Sequence, residues 1–199
     1  MDSRPPELIL ASTSRYRRSL LERLQLPFRC EAPEVDEQAR PGEAPQALAQ
    51  RLAAEKARAV SRRHPAALVL GSDQVASLDG QALGKPGNPG NACAQLHASS
   101  GRALRFHTAA SIAREGVELD RCCVDTLVQF RDLSAEQIED YVDREQPLDC
   151  AGSFRWEALG IALFRSLEST DPTALEGLPL IETVSMLERN GFTVLKAAT

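Results

Sequence analysis

The chain has 199 residues, of which 43% are hydrophobic and 26% are charged; this composition supports a buried core and excludes disordered and fibrous proteins. We therefore expect one domain over residues 1–199, with two lobes whose boundary the sequence leaves open. A net charge of −5 argues against nucleic acids and anionic membranes as partners, because both bind to basic surfaces.

Two further features concern the location of the protein. No apolar run reaches the roughly 18 residues of a membrane-spanning helix, and the N-terminus lacks the pattern of a signal peptide. The five cysteines are scattered without a C-x-x-C pair, which argues against a disulfide framework or a structural zinc site. We therefore expect a cytoplasmic protein.

The first third of the chain alternates between strand and helix patterns. Short apolar runs predict strands at residues 7–11 and 28–32, and apolar residues at helical spacing predict helices over residues 15–24 and 46–63. The serines and threonine of residues 12–14 suit the cap of the first of these helices.

The middle of the chain is rich in hairpin signals. A buried strand is predicted at residues 67–71, ending at Ser72-Asp73-Gln74. The Asp79-Gly80 turn then predicts that residues 75–78 pair with residues 81–83.

The second half of the chain completes the prediction. Helices are expected at residues 91–99, 134–144 and 179–189, and extended segments at residues 105–113, 117–131 and 161–164. Because hairpins interrupt the alternation of strands and helices, we expect an α/β fold with a mixed sheet rather than a purely parallel one.

The segment Ser12-Thr-Ser-Arg-Tyr-Arg-Arg18 is the first candidate for a functional site. Hydroxyls and free backbone N–H groups at a helix start bind anions, and the arginines of the first turns oppose the helix dipole unless an anion lies nearby. This pattern favours phosphate binding. A capped surface helix with solvent-facing arginines is the alternative.

Carboxylates supply the second and third candidates. Asp73 follows a buried strand, where a carboxylate can bind a hard metal ion or accept a proton from water, although aspartate is also common in turns. Glu34, Asp36 and Glu37 form an acidic run that suits metal ligation, or simply a solvated loop.

Lysine is scarce in this chain, where nearly every cation is arginine. Lys56 and Lys85 are the two internal lysines, and Lys85 lies in a turn directly after the predicted hairpin. A compact ammonium suits a phosphate, but both could be ordinary surface residues. Together with the carboxylates, these cations describe a site for metal-assisted attack on a polyphosphate.

These residues lie in motifs that resemble the Maf family of nucleoside triphosphate pyrophosphatases over about residues 8–187. The matching blocks are Leu10-Ala-Ser-Thr-Ser14 with Arg17-Arg18, Val35-Asp-Glu37, Arg51-Leu-Ala-Ala-Glu-Lys56-Ala57, Gly71-Ser-Asp-Gln-Val75, Leu83-Gly-Lys-Pro86, Ser100-Gly101, Ala151-Gly-Ser153 and Gly177-Leu-Pro-Leu-Ile181. Each block is short, and their order and spacing together are specific.

Within that family, three segments resemble the branch that hydrolyses 7-methyl-GTP. They are Ala32-Pro-Glu-Val-Asp-Glu37, Ser72-Asp-Gln-Val75 and Cys150-Ala-Gly-Ser-Phe154. The resemblance implies cleavage between the α- and β-phosphates, with a nucleoside monophosphate and pyrophosphate as products. It also implies an elongated mixed sheet flanked by helices, with a cleft between two lobes, as in inosine triphosphate pyrophosphatases.

The resemblance assigns roles to individual residues. Asp73 matches the proton acceptor, and Glu37 and Asp73 are the expected ligands of a divalent metal, Mg²⁺ or Mn²⁺, with Glu34 and Asp36 as rivals of Glu37. Base choice falls to Tyr16, Gln74 and Glu157, and phosphate handling to Ser12, Arg17, Arg18, Lys56 and Lys85.

One departure from the family pattern and one aromatic residue bear on the substrate. Arg15 stands where the family usually has proline, which adds a cation to the helix start. N7-methylation gives guanine a positive charge, and such a ring gains from an aromatic face and a nearby carboxylate, which Tyr16 and Glu157 could supply. Trp156, the only tryptophan, either stacks on the base or packs in the core.

Two alternatives stay open at this point. The substrate could be dTTP, UTP or another modified nucleotide, or the protein could be a regulator of cell division that binds a nucleotide without hydrolysing it. We expect a small-molecule nucleotide as partner, no nucleic acid and no membrane, and the sequence leaves a homodimer open.

Overall fold

Seven strands and five helices build the part of the chain that the computed structural model describes, residues 6–195. The strands are β1 Leu8–Leu10, β2 Phe28–Cys30, β3 Leu68–Leu78, β4 Gln81–Leu83, β5 Ala103–Arg114, β6 Val117–Phe130 and β7 Phe164–Ser169. The helices are α1 Arg15–Glu22, α2 Pro45–Arg63, α3 Pro89–Ser99, α4 Ala135–Glu145 and α5 Leu180–Arg189. Short 3₁₀ turns occupy Ala151–Ser153, Leu159–Leu163 and Pro172–Glu176. The N-terminal residues used to argue against a signal peptide lie largely outside the described part.

The strands form one mixed sheet, as the sequence predicts. Its order is β2-β1-β3-β5-β6-β7, and β4 also pairs with β3. The pairs β1–β2 and β1–β3 are parallel, and the remaining pairs are antiparallel. The turns at Asp79-Gly80 and Glu115-Gly116 have positive φ at both residues, the backbone that two-residue hairpins require.

Helix α2 lies unusually close to β3. A Cβ atom added at Gly71 would lie 2.3 Å from the carbonyl oxygen of Ala53 and 2.6 Å from the backbone N of Ala57, so only glycine fits there. Both alanines are fully buried. Because the two backbones are in contact, the side chains that follow along the helix and the strand are brought together at a fixed distance.

Two regions of the core lie on either side of this contact. One joins β1, α1 and α5 through aliphatic side chains such as Leu10, Leu20 and Met186. The other contains the phenylalanine cluster, which we define as Phe106, Phe130, Phe154 and Phe164. Its rings meet edge to face at centroid distances of 4.7–5.6 Å, a geometry that aromatic pairs prefer.

Two sequence predictions of strand limits are wrong. The strand predicted to end before Ser72 continues without a break to Leu78, because β5 pairs with it from Val69 to Ser77. The extended segment predicted at residues 161–164 is a 3₁₀ turn that leads into β7. Gly160 lies against the backbone of Arg155 in this turn, where a Cβ would come within 2.2 Å of the carbonyl oxygen.

No helix within residues 6–195 has the length and the apolar character needed to cross a membrane.

Candidate active site

A cavity of about 790 Å³ opens along one edge of β3. On this edge β1 pairs with β3 up to Leu70, and β4 pairs with it from Ala76 onward, so the cavity opens beside residues 71–75. Its walls also include the turn between β1 and α1, the loop after β4, residues 149–157 and residues 175–177. Its volume is within the usual range of ligand sites.

Asp73 lies on the wall of this cavity and faces α2. It is 8% exposed, and Lys56 of α2 is 4% exposed. The Lys56 Nζ atom is 2.6 Å from Asp73 Oδ1 and 2.6 Å from Glu37 Oε1. A buried ammonium needs such partners, and here it holds two carboxylates in a fixed place at the cavity.

Glu37 is held as a carboxylate. Partial desolvation opposes its ionisation, but Lys56, Lys85 and Arg17 outweigh this effect and lower the pKa of Glu37 below its usual value. The group that could bind a cation is therefore ionised at neutral pH.

The donor chemistry fits a hard divalent metal. Within the part of the chain that the structure describes, no group of three or more His, Cys, Asp or Glu side chains is arranged as a metal site. Glu37 and Asp73 offer two carboxylates, and Mg²⁺ commonly uses one or two carboxylates together with substrate phosphates and water. Of the acidic run, Glu37 lines the cavity, whereas Asp36 accepts a hydrogen bond from the backbone N of Gln38 and Glu34 is 78% exposed.

The turn between β1 and α1 forms the next wall. Ser12 Oγ accepts a hydrogen bond from the backbone N of Ser14, and Ser14 in turn caps α1 by accepting one from the backbone N of Arg17. The Nε atom of Arg17 donates to the carbonyl oxygen of Gly177 at 2.9 Å, which fixes this guanidinium at the cavity. Lys85 reaches the same cavity from the loop after β4.

Arg18 is the one predicted phosphate ligand that the structure does not bring to the cavity. Its Nε donates to Glu22 Oε1 at 3.0 Å on the exposed face of α1. The structure places Arg17, and not Arg18, at the cavity. The assignment of Arg18 to phosphate binding therefore stays a prediction that this arrangement does not favour.

Tyr16 and Glu157 lie at the cavity, as predicted. The Arg15 guanidinium lies 4.8 Å from the centre of the Tyr16 ring and donates to the Tyr16 hydroxyl at 2.8 Å. Trp156 also borders the cavity and packs against the core that contains the phenylalanine cluster. Both sequence alternatives for Trp156 therefore keep a structural basis.

Gln74, the third residue predicted to set base choice, also lines the cavity, and its amide is engaged in hydrogen bonds. Successive strand residues point to opposite faces, so Gln74 points away from α2, whereas Asp73 points towards it. The Gln74 Nε2 atom donates to the carbonyl oxygens of Ala174, at 2.8 Å, and Leu175, at 3.1 Å. Its amide nitrogen thus holds the 172–176 turn in place.

Among the cavity residues with polar or ionisable side chains, the sequence prediction missed four: Asp149, Cys150, Arg155 and Glu176. Arg155 donates to Glu145 Oε1 at 3.0 Å and thereby joins the cavity wall to α4. Burial raises the pKa of the Cys150 thiol to about 11, which argues against a thiolate nucleophile at neutral pH. Cys150 stood in a segment that resembles the 7-methyl-GTP branch; the other three lie in turns or irregular backbone, where the sequence carried no signal of their position.

Comparisons with known proteins identify relatives of this chain. A family model described as "Maf-like protein" matches residues 7–190. A protein of Xanthomonas oryzae pv. oryzae named "7-methyl-GTP pyrophosphatase" is 61% identical, over 94% of this chain and 98% of its own length. Proteins of the same name from Aromatoleum aromaticum and Bordetella pertussis are 55% and 51% identical, over 93% and 98% of this chain and 96% and 98% of their own lengths.

A solved structure supports the predicted fold. The Staphylococcus aureus Ham1 protein matches with a TM-score of 0.52 at 14% identity, over 92% of this chain and 99% of that one. The likeness confirms an α/β architecture of a mixed sheet flanked by helices.

Proposed function

The chain belongs to the Maf family, and from this premise we propose that it hydrolyses 7-methyl-GTP to 7-methyl-GMP and pyrophosphate. Relatives that carry this activity in their names are 51–61% identical over nearly the whole chain. The observation that carries the proposal is the Lys56 ammonium, 2.6 Å from both Asp73 and Glu37 inside a cavity that basic side chains also line.

Asp73 is the proposed general base. Its Oδ1 atom is held by Lys56, and such a fixed carboxylate can accept a proton from water aimed at the α-phosphorus. A mostly buried position keeps the number of competing waters small.

Cations on three elements would hold the triphosphate. Arg17, Lys56 and Lys85 converge on the cavity from α1, α2 and the loop after β4. Their charges offset the negative charge that builds up on the phosphates during cleavage. A divalent metal held by Glu37 and Asp73 would add Lewis-acid polarisation of the phosphate oxygens.

The guanine base of the substrate would lie towards Tyr16 and Glu157. A methylated guanine ring is positively charged, so it gains both from stacking on the Tyr16 ring and from the Glu157 carboxylate. Neutral guanine gains less from the same surroundings.

All five cysteines are free, which supports a cytoplasmic location. A homodimer stays a prediction.

The experiment is a panel of nucleoside triphosphates, with and without Mg²⁺ or Mn²⁺, in which released pyrophosphate and phosphate are measured separately. We expect multiple turnovers with pyrophosphate as the product and the highest kcat/KM for 7-methyl-GTP. An Asp73→Asn preparation purified in parallel controls for contaminating activity.

Two results would overturn the proposal. A higher kcat/KM for dTTP or UTP would place the chain with another substrate, and tight nucleotide binding without turnover would make it a regulator.

A further inference from the structure

Glu176 lines the cavity but lies outside all of the matched family blocks. It ends the 172–176 turn, directly before the block that begins at Gly177. It lines the same cavity as Asp73 and Glu157, and its side chain is 13% exposed. A carboxylate in such a position is costly unless it meets a positive charge or a hydrogen-bond donor.

The only cation paired with Glu176 in the described part of the chain is outside the cavity. The Nη2 atom of Arg23 lies 2.9 Å from Glu176 Oε2 and 3.3 Å from Oε1, but the Arg23 side chain is 53% exposed and does not line the cavity. Burial raises the pKa of Glu176, the nearby Glu157 raises it further, and Arg23 opposes both effects. Glu176 is thus a cavity-lining carboxylate whose one cationic partner, in the described part of the chain, lies on the exposed side and leaves the cavity itself without a cation paired to it.

The backbone on both sides of Glu176 is firmly held. Gln74 donates to the carbonyls of residues 174 and 175, and Ser72 Oγ lies 2.8 Å from the carbonyl oxygen of Gly177. Both anchoring side chains belong to β3, one residue on either side of Asp73. The distance between the general base and Glu176 is thus set by a single strand and one turn.

We propose that Glu176 determines substrate choice: its carboxylate and that of Glu157 together recognise the positively charged ring of a 7-methylated guanine. The inference rests on the proposed function and adds a residue to it. Guanine N–H groups can donate to a carboxylate whether or not the ring is methylated. The positive charge is what differs, and it is attracted to both carboxylates, more strongly to Glu176, which is largely buried, than to the exposed Glu157.

Gln74 then acts as a positioning residue. Its amide nitrogen holds the turn that carries Glu176, so it influences base choice through the position of that turn.

The test compares Glu176→Gln with Arg23→Gln. The first variant removes the carboxylate charge and keeps the side-chain shape, whereas the second breaks the same ion pair and leaves the carboxylate in the cavity. We expect Glu176→Gln to lower the ratio of kcat/KM for 7-methyl-GTP over GTP about tenfold, mainly through a higher KM for 7-methyl-GTP. Arg23→Gln should keep or raise that ratio.

A second measurement does not depend on hydrolysis. Binding of 7-methylguanosine and guanosine, which lack phosphates, can be followed by calorimetry or by the fluorescence of Trp156, the only tryptophan. The wild-type protein should prefer 7-methylguanosine, and Glu176→Gln should reduce this preference. Thermal unfolding of each variant checks that it is folded.

The outcomes separate the two proposals. An unchanged ratio and an unchanged nucleoside preference in a folded Glu176→Gln variant would overturn the role of Glu176, and so would an equal loss in Arg23→Gln. If the wild-type protein does not hydrolyse 7-methyl-GTP, the proposed function fails, while the nucleoside measurement still decides whether Glu176 recognises the charged ring.

Discussion

The two faces of β3 support different walls of the same cavity. On one face, Gly71 and Asp73 meet α2 through direct backbone contact and through Lys56. On the other face, Ser72 and Gln74 hold residues 174–177 through hydrogen bonds from side chain to backbone. We call these the helix face and the turn face.

The comparison separates reaction from selectivity. The helix face joins two long elements, and groups on such elements keep the precise geometry that proton transfer needs. The turn face holds a short 3₁₀ segment, and such segments can change in sequence without disturbing the sheet. We therefore expect changes on the helix face to affect the rate for every substrate and changes on the turn face to affect the choice between substrates.

The largest effect should come from Asp73→Asn on the helix face. The amide cannot act as a base, so we expect kcat to fall about 10³-fold for every nucleotide. The protein should stay folded but lose some stability, because the buried Lys56 keeps only Glu37 as a charged partner. Steady-state kinetics and thermal unfolding measure the two effects. Asp36→Asn, in the same acidic run as Glu37 but outside the cavity, is the matched control. Near-normal turnover of Asp73→Asn would contradict the assignment of Asp73 as the general base.

Gly71→Ala should disturb the helix face as a whole. The added methyl group cannot occupy a site 2.3 Å from the carbonyl oxygen of Ala53, so α2 must shift. We expect a loss of about 2 kcal/mol in unfolding free energy and, because Lys56 and Asp73 separate, about a hundredfold lower kcat. Gly84→Ala, where a methyl group has no atom within 4 Å, is the control for stability. Equal melting temperatures for the two variants would contradict the close contact.

Arg17 and Arg18 test which face of α1 meets the phosphates. Arg17 lies at the cavity beside Gly177, and Arg18 pairs with Glu22 in solvent. We expect Arg17→Gln to raise KM about tenfold, the value of one charge-assisted contact, and Arg18→Gln to leave kinetics within about twofold. Kinetic constants for one shared substrate decide this, and the reverse order of effects would refute the orientation of the helix.

Gln74→Leu gives the smallest effect and probes the turn face. Loss of its hydrogen bonds loosens the 172–176 turn, so we expect discrimination between 7-methyl-GTP and GTP to fall about fivefold, roughly one net hydrogen bond. Turnover of GTP should change less than this ratio does. Gln46→Leu, on α2 and outside the cavity, serves as the control. An equal fall in kcat for both substrates would show instead that Gln74 contributes to the chemical step.

Much of the fold could be predicted because local patterns decide it. The apolar run before Ser12, the leucines of α1, the Asp79-Gly80 turn and the cap at Ser134 each determine their own surroundings, and the structure contains all four elements. The end of β3 could not be predicted in this way. Ser72 and Gln74 look like loop residues, but tertiary hydrogen bonds satisfy their side chains within a strand.

The site was predictable to a similar extent. Asp73, Lys56, Lys85, Tyr16 and Glu157 carry motif signals, and the structure brings them to one cavity. The choice between Arg17 and Arg18 depends on the rotation of α1, and the presence of Glu176 depends on a turn about 100 residues after Asp73. Both are tertiary facts, which no local pattern contains.

The backbone contact at Gly71 also bears on how substrate enters and product leaves. Helix α2 and strand β3 cannot move apart without losing that contact, so they form one rigid wall of the cavity. Residues 174–177 are also tied to β3, so widening of the cavity would have to come from its other walls, residues 149–157 and the loop after β4. The pace of release would then be governed by segments that take no part in breaking the bond.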